Sequence, residues 1–358
     1  MQPGRTLSVK TCFLFMLAAA TLGPLAIAFV HVQSDGVVHR CASSTFRLMN
    51  ILAAPHVVTT IYLLIDRRQF EGVERPAFTV GFVPAAMIVV CFAVLMAAPL
   101  WLVAAFMLGF VFYSTWHFGR QNVGIASFAA RVGDSRPLER EERLMLNLGV
   151  LAGLLVSYRA FAPALMLPPE LWPFDLSFAE PVLSRLWYGG IALYALLIPV
   201  VLVRVAMQRR RYPFWMLVIY LGCVFFFLPA YLSDNALFLV TSWTVAHGLQ
   251  YLVMLAFHAG AAGRVEQGVR ALRPAFAFGL SLAAGVALWL AADRMAGIAD
   301  ATMAKALFAV IIALTLAHYW IDQYLWRFRT PARRAWLARS FPFLGGAPKA
   351  APALAAVR

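Results

Sequence analysis

The sequence predicts an all-α, polytopic membrane protein: a helical bundle of about ten transmembrane helices with both termini cytoplasmic. Three observations carry that expectation. Of 358 residues, 62% are hydrophobic and only 13% charged, where a soluble domain is about half apolar and a quarter charged. Mean hydropathy is +0.77. The arginines cluster between the apolar runs, where the positive-inside rule puts them. The net charge of +14 would otherwise hint at nucleic acid. Its placement assigns it to membrane orientation, so no nucleic-acid partner is expected.

A spanning helix needs about 20 mostly apolar residues. Ten segments meet this, at roughly 11–31, 45–65, 77–96, 99–122, 144–167, 186–207, 213–232, 236–258, 274–293 and 303–325. The first resembles a signal peptide, with Arg5 and Lys10 before an apolar stretch. That stretch is long and carries Pro24, so it reads as a first spanning helix that is not cleaved. With the N-terminus inside, the inner loops are Asp66–Pro76, Arg131–Arg143, Gln208–Tyr212 and Ala259–Arg273, and each carries arginines. The outer loops are His31–Ser44, the turn near Pro99, Pro168–Ser184, Ser233–Asn235 and Asp293–Thr302. They are poor in Lys and Arg, and Pro168–Ser184 holds Glu170, Asp175 and Glu180. Residues 1–330 form a single transmembrane domain, and 331–358 a largely disordered cytoplasmic tail ending in an Ala/Pro-rich stretch.

Several chemistries lack their motifs. The four cysteines (Cys12, Cys41, Cys91, Cys223) make no CxxC pair, so neither a thiolate site nor a disulfide framework is indicated. Walker A, GxSxG and HExxH are absent, which leaves ATPase, serine hydrolase and zincin readings without support. The HxxxH and HxxHH clusters of membrane di-iron desaturases are missing too.

Four of the seven histidines lie inside apolar runs, each in a different one. They are His56 (ILAAPHVVTTIYLLID), His117 (GFVFYSTWHFGRQN), His247 (TSWTVAHGLQYLVM) and His318 (LTLAHYWIDQYLW). A titratable ring in hydrocarbon is costly and faces the protein interior, where it has a partner or a job. All four fall on even-numbered spans, which run in the same direction and can present side chains at similar depth. Counting rise per residue, His56 and His247 sit near mid-membrane, with His117 and His318 roughly 5–8 Å nearer the cytoplasm. The four are the candidate metal ligands, since imidazole suits iron, copper, zinc and nickel.

Each histidine has a polar neighbour about one turn away on its own helix. Those neighbours are Thr60, Gln121, Gln250 and Asp322, the candidate supports of the metal-bound rings. Trp116, Arg120 and Trp243 are candidate substrate contacts; snorkelling and aromatic packing are the plainer readings of the same residues. His258 reads as interfacial, and His31 and His39 as solvated.

The stretch FYSTWHFGRQN, with its His-Phe-Gly, and Pro55-His56 early in the chain are similar to motifs of the Brp/Blh-type bacterial carotene dioxygenases. The resemblance implies a polytopic membrane protein of the bacterial cytoplasmic (inner) membrane. It also implies non-haem iron (Fe2+) held by four histidines and oxidative splitting of an isoprenoid. His56 matches the Pro-His motif, His117 the His-Phe-Gly motif, and His247 a later ligand. The chain departs from the family where Val57 replaces a glycine, and where Tyr251 stands one turn after His247 in place of a second histidine. The fourth ligand then falls to His318.

The leading expectation is therefore a membrane-embedded iron oxygenase acting on a lipid or isoprenoid-type apolar substrate. A bis-histidine haem protein is one alternative. A transporter or scaffold whose histidines only hydrogen-bond is the other.

Overall fold

The computed structural model describes residues 8–33, 55–65, 75–132, 136–165, 173, 179–209, 211–232, 236–265, 273–296, 301–325, 331–341 and 343–344. Among them the architecture is all-α. The only β contact among the described residues is an isolated bridge between Val132 and Leu344.

The helices follow the apolar runs. Helix α1 (Val9–Gln33) opens on Ser8, whose Oγ accepts the Thr11 N–H at 3.2 Å, and it continues through Pro24. Helix α2 (Pro55–Ile65) carries His56 in its first turn. A π-helical turn, Ala77–Phe82, leads into α3 (Val83–Ala97). Pro99 separates α3 from α4 (Leu100–Ala129), which carries His117.

Helix α5 (Arg140–Leu165) starts where Glu142 reaches back to accept the Glu139 N–H at 2.7 Å, half of a capping box. Helix α6 (Ala179–Gln208) is followed by α7 (Phe214–Val224) and a short 3-10 turn, Leu228–Tyr231. His247 lies on α8 (Ala236–Val265). Helices α9 (Arg273–Ala296), α10 (Ala301–Leu325, carrying His318) and α11 (Pro331–Ser340) follow.

Seven of these segments are long and apolar enough to cross a membrane: Val9–Ala26, Ala77–Ala97, Leu100–Ala129, Ala179–Gln208, Phe214–Tyr231, Pro274–Ala291 and Lys305–Tyr324. The surface agrees, since large aliphatic and aromatic side chains point outward: Leu196 is 70% exposed and Phe276 72%. In water such a surface would be an aggregation site; in lipid it is the expected one. The chain is an integral, multi-pass membrane protein.

Packing brings the histidine-bearing helices together. Helix α2 lies against α9 and α8 and also touches α10; α10 packs on α3 and reaches α4, which meets α8. Two glycines let one helix meet another element's backbone directly. A Cβ on Gly285 of α9 would come within 2.5 Å of Pro55 Cα, and one on Gly149 of α5 within 2.3 Å of the Val224 carbonyl oxygen.

Both ends of the described chain lie at one end of the bundle. Phe13 of α1 meets Phe343 at 4.9 Å and Phe341 at 6.1 Å between ring centroids. The described part of the expected disordered tail is instead folded. Pro331–Ser340 is helical, and Trp336, Leu337 and Phe341 are buried against the bundle, because this stretch carries enough apolar surface to dock. Residues 345–358 lie outside the described residues, as do Cys41, His39, most of the loops expected at 31–44, 66–76 and 168–184, and residues 266–272 of the loop expected at 259–273.

Candidate metal centre

The four histidines expected from the sequence converge. His56, His117, His247 and His318 are all buried. The His56 ring centroid is 4.8 Å from that of His247 and 4.9 Å from that of His318. His117 lies 4.9 Å from His247 and 5.9 Å from His318, and His247 is 5.9 Å from His318. Counting along straight helices leaves a depth difference of several ångströms between pairs. The packing of the helices removes it.

Two overlapping groups of ligand atoms result. One is His56, His247 and His318; the other is His117, His318 and Asp322. Within each group the candidate ligand atoms lie within 4.8 Å of one another. Ligands about 2 Å from one ion are about 3 to 3.5 Å apart when adjacent, so modest ring rotations would close either set.

The hydrogen bonding of the rings fits a metal. Neither ring nitrogen of His247 has a hydrogen-bond partner among the described residues, and Nε2 of both His117 and His318 lacks one as well. A buried polar atom left unsatisfied costs roughly 1–3 kcal/mol, and such atoms in a native interior call for a partner, an ion or an ordered water among them. His318 shows how one ring is aimed. Its Nδ1 sits 2.5 Å from Thr60 Oγ1. The Thr60 hydroxyl is in turn 3.4 Å from the His56 carbonyl and 3.2 Å from the Tyr251 hydroxyl. With the proton on Nδ1 and donated to Thr60, the lone pair of His318 is on Nε2, facing the other rings.

Asp322 lies one turn beyond His318. Its Oδ2 is 3.7 Å from His117 Nε2 and 3.9 Å from His318 Nε2. Gln121 and Gln250 hold the helices and not the imidazoles. Gln121 Nε2 donates to the His247 carbonyl at 3.0 Å and to Gln250 Oε1 at 3.1 Å. Gln250 Nε2 donates to Thr21 Oγ1 at 2.9 Å and to Asn122 Oδ1 at 3.0 Å. This buried polar network ties α1, α4 and α8 together directly beside the histidines.

The three candidate substrate contacts part company. Trp116 is 46% exposed, with the Arg120 guanidinium 5.5 Å from its ring. Arg120 is also exposed and donates to Asn147. Both therefore lie on the outer surface of the bundle, away from the rings. Trp243 is buried against Phe227, in an apolar cluster with Phe118 and Tyr319.

That cluster contains two residues that the sequence pattern does not single out. Tyr319 stacks on His117 at 4.0 Å, and Phe118 lies 4.7 Å from His247. Each follows a candidate ligand by one position, which helical periodicity places on a different face, so spacing alone gives no signal. Tyr251 is visible in the sequence only as a departure from the family motif. It sits 5.2 Å from the His318 ring. His258 packs beside Trp336 of α11, remote from the cluster.

No family model, curated protein or solved structure matches this chain.

Proposed function

We propose that this chain is a membrane-embedded metalloenzyme that binds iron through His56, His117, His247 and His318. It would use molecular oxygen on a lipid or isoprenoid-type apolar substrate. The observation that carries the reading is the convergence of four buried imidazoles from four helices, with ring nitrogens of His117, His247 and His318 left without hydrogen-bond partners among the described residues. An imidazole set suits iron, copper, zinc or nickel over magnesium or calcium. The choice of iron rests on the resemblance to the bacterial carotene dioxygenases.

Bound iron would supply oxygen activation, with positions left open for exogenous ligands. The protein's own part is to aim the rings and exclude water. Thr60 holds the Nδ1 side of His318, which leaves Nε2 to face the other rings. Phe118, Tyr319 and Trp243 form a dry apolar wall on one side, suited to an alkene or polyene and poor for a polar substrate. The haem alternative has less support. A porphyrin must slip between its two axial rings, yet these rings meet edge to face at 4.8–5.9 Å.

In this reading the ten apolar segments all span the bacterial inner membrane, with both termini cytoplasmic. The substrate reaches the site from the lipid phase.

Oxygenation of an apolar polyene is tested in liposomes with purified, iron-loaded protein and 18O2. A dioxygenase adds one oxygen atom to each carbon of the cleaved double bond, giving two carbonyls with no external reductant. Two labelled carbonyl products, lost in His247→Ala, are expected. Iron-loaded protein that consumes no oxygen with any polyene or unsaturated lipid would overturn the oxygenase assignment.

A further inference from the structure

We propose that Asp322 is itself a metal ligand, making the centre a four-histidine, one-carboxylate site. This deepens the metalloenzyme reading and rests on it.

A carboxylate that merely orients a metal-bound histidine holds the nitrogen pointing away from the metal, within hydrogen-bond distance. Asp322 does something else. For His318, the far nitrogen Nδ1 is already taken by Thr60 at 2.5 Å. Asp322 Oδ2 instead lies on the Nε2 side, at 3.9 Å, and at 3.7 Å from Nε2 of His117, a ring from another helix. Both separations are too long for hydrogen bonds. They are slightly above the spacing of about 3 to 3.5 Å between neighbouring ligands on one ion. One oxygen facing two imidazole nitrogens from α4 and α10 is the geometry of three atoms around a common centre.

The surroundings hold the carboxylate in that pose. Asp322 is buried, one turn from His318 on the same helix, and Thr60 links the His318 ring to the Tyr251 hydroxyl beside it. A buried carboxylate inside a spanning helix is expensive unless a cation or hydrogen bonds compensate it. A divalent ion at this point would do so. On a six-coordinate ion, five protein ligands leave one position for an exogenous molecule.

Affinity alone does not test this, because losing an orienting partner also costs about 10–100-fold. The visible spectrum of bound Co2+ does, since its bands report the number and kind of ligands. The experiment loads purified full-length protein with Co2+ and compares wild type with Asp322→Ala, Asp322→Asn and Asp322→His at saturation. The expected result is altered band positions and intensities in Asp322→Ala and Asp322→Asn, with His247→Ala abolishing binding. Asp322→His, which retains a ligand, should bind within a few-fold of wild type with a spectrum of its own. If Asp322→Ala does not fold, Asp322→Asn, differing by one atom, carries the comparison. Wild-type spectra in the Asp322 variants would overturn the assignment while leaving the histidine site standing. No Co2+ uptake by the wild-type protein would overturn both.

Discussion

At the residue scale, the support given to each ring matters as much as the ring itself. His318 is the clearest case, because Thr60 on α2 fixes which of its nitrogens faces inward. Replacing Thr60 by Val keeps the shape and removes the hydroxyl. Metal affinity is expected to fall about 10–100-fold, as for other orienting partners. Titration of the apo protein with Co2+ checks this, and an unchanged affinity would show that Thr60 holds nothing that matters. The four candidate ligands are legible in the sequence, since a histidine ring inserted into an apolar run is costly without a partner or a job. Their supports are not legible there. Gln121 and Gln250 stand one turn or less from a histidine, as Thr60 does, yet they bond backbone and one another. Spacing names neighbours on one helix, whereas Thr60 serves a histidine 258 positions away on another.

At the element scale, helix separation sets the geometry of the centre. Gly285 of α9 lies against Pro55, the residue before His56, and an added Cβ would come within 2.5 Å of Pro55 Cα. Backbone cannot swing aside as a flexible side chain can, so Gly285→Ala must move α2. It should weaken metal binding through His56, although residue 285 is not itself a candidate ligand. A control is Gly279→Ala on the same helix, where an added Cβ meets nothing within 4 Å. Equal metal affinity in the two variants would contradict the argument.

A second element-scale prediction concerns the junction of α6 and α7, outside the membrane-spanning segments. Tyr212 donates its hydroxyl to Glu142 Oε2 at 3.1 Å. Burial, then the neighbouring Glu142 carboxylate and the hydrogen bond to it, push the phenol up to about 12 from 10.0. The unfolded chain therefore loses this proton first. The contribution is fully present below about pH 10 and is lost as pH rises toward 12. Tyr212→Phe should flatten this part of the alkaline stability profile. Thermal unfolding in detergent between those limits is the check, and superimposable wild-type and variant profiles would argue against it.

At the scale of the whole molecule, the amino-acid pattern foretells an apolar exterior and a multi-pass helical chain. It underestimates the C-terminal segment. Arginines and prolines between 327 and 342 read as tail, but Trp336 and Phe341 anchor it to the bundle. The packing also brings together two loops that the arginine count assigns to the same side. Arg204 and Arg211, flanking the α6–α7 junction, pair with Glu139 at the start of α5, Arg211 at 3.5 Å. With Phe13 against Phe343, this places the chain's two described ends and these loops together. Reporter domains fused after residue 358 and within 133–135 should therefore both signal from the cytoplasm. A periplasmic signal from either would break the proposed orientation.

The central claim is one metal ion shared by four histidines. Its most direct measurement is elemental analysis of detergent-purified protein after reconstitution with Fe2+ under anaerobic conditions and removal of loose metal. One iron per chain is expected in the wild type, with loss of bound iron in each of His56→Ala, His117→Ala, His247→Ala and His318→Ala and folding retained. Wild-type protein without bound iron, or full iron content in all four variants, would contradict it.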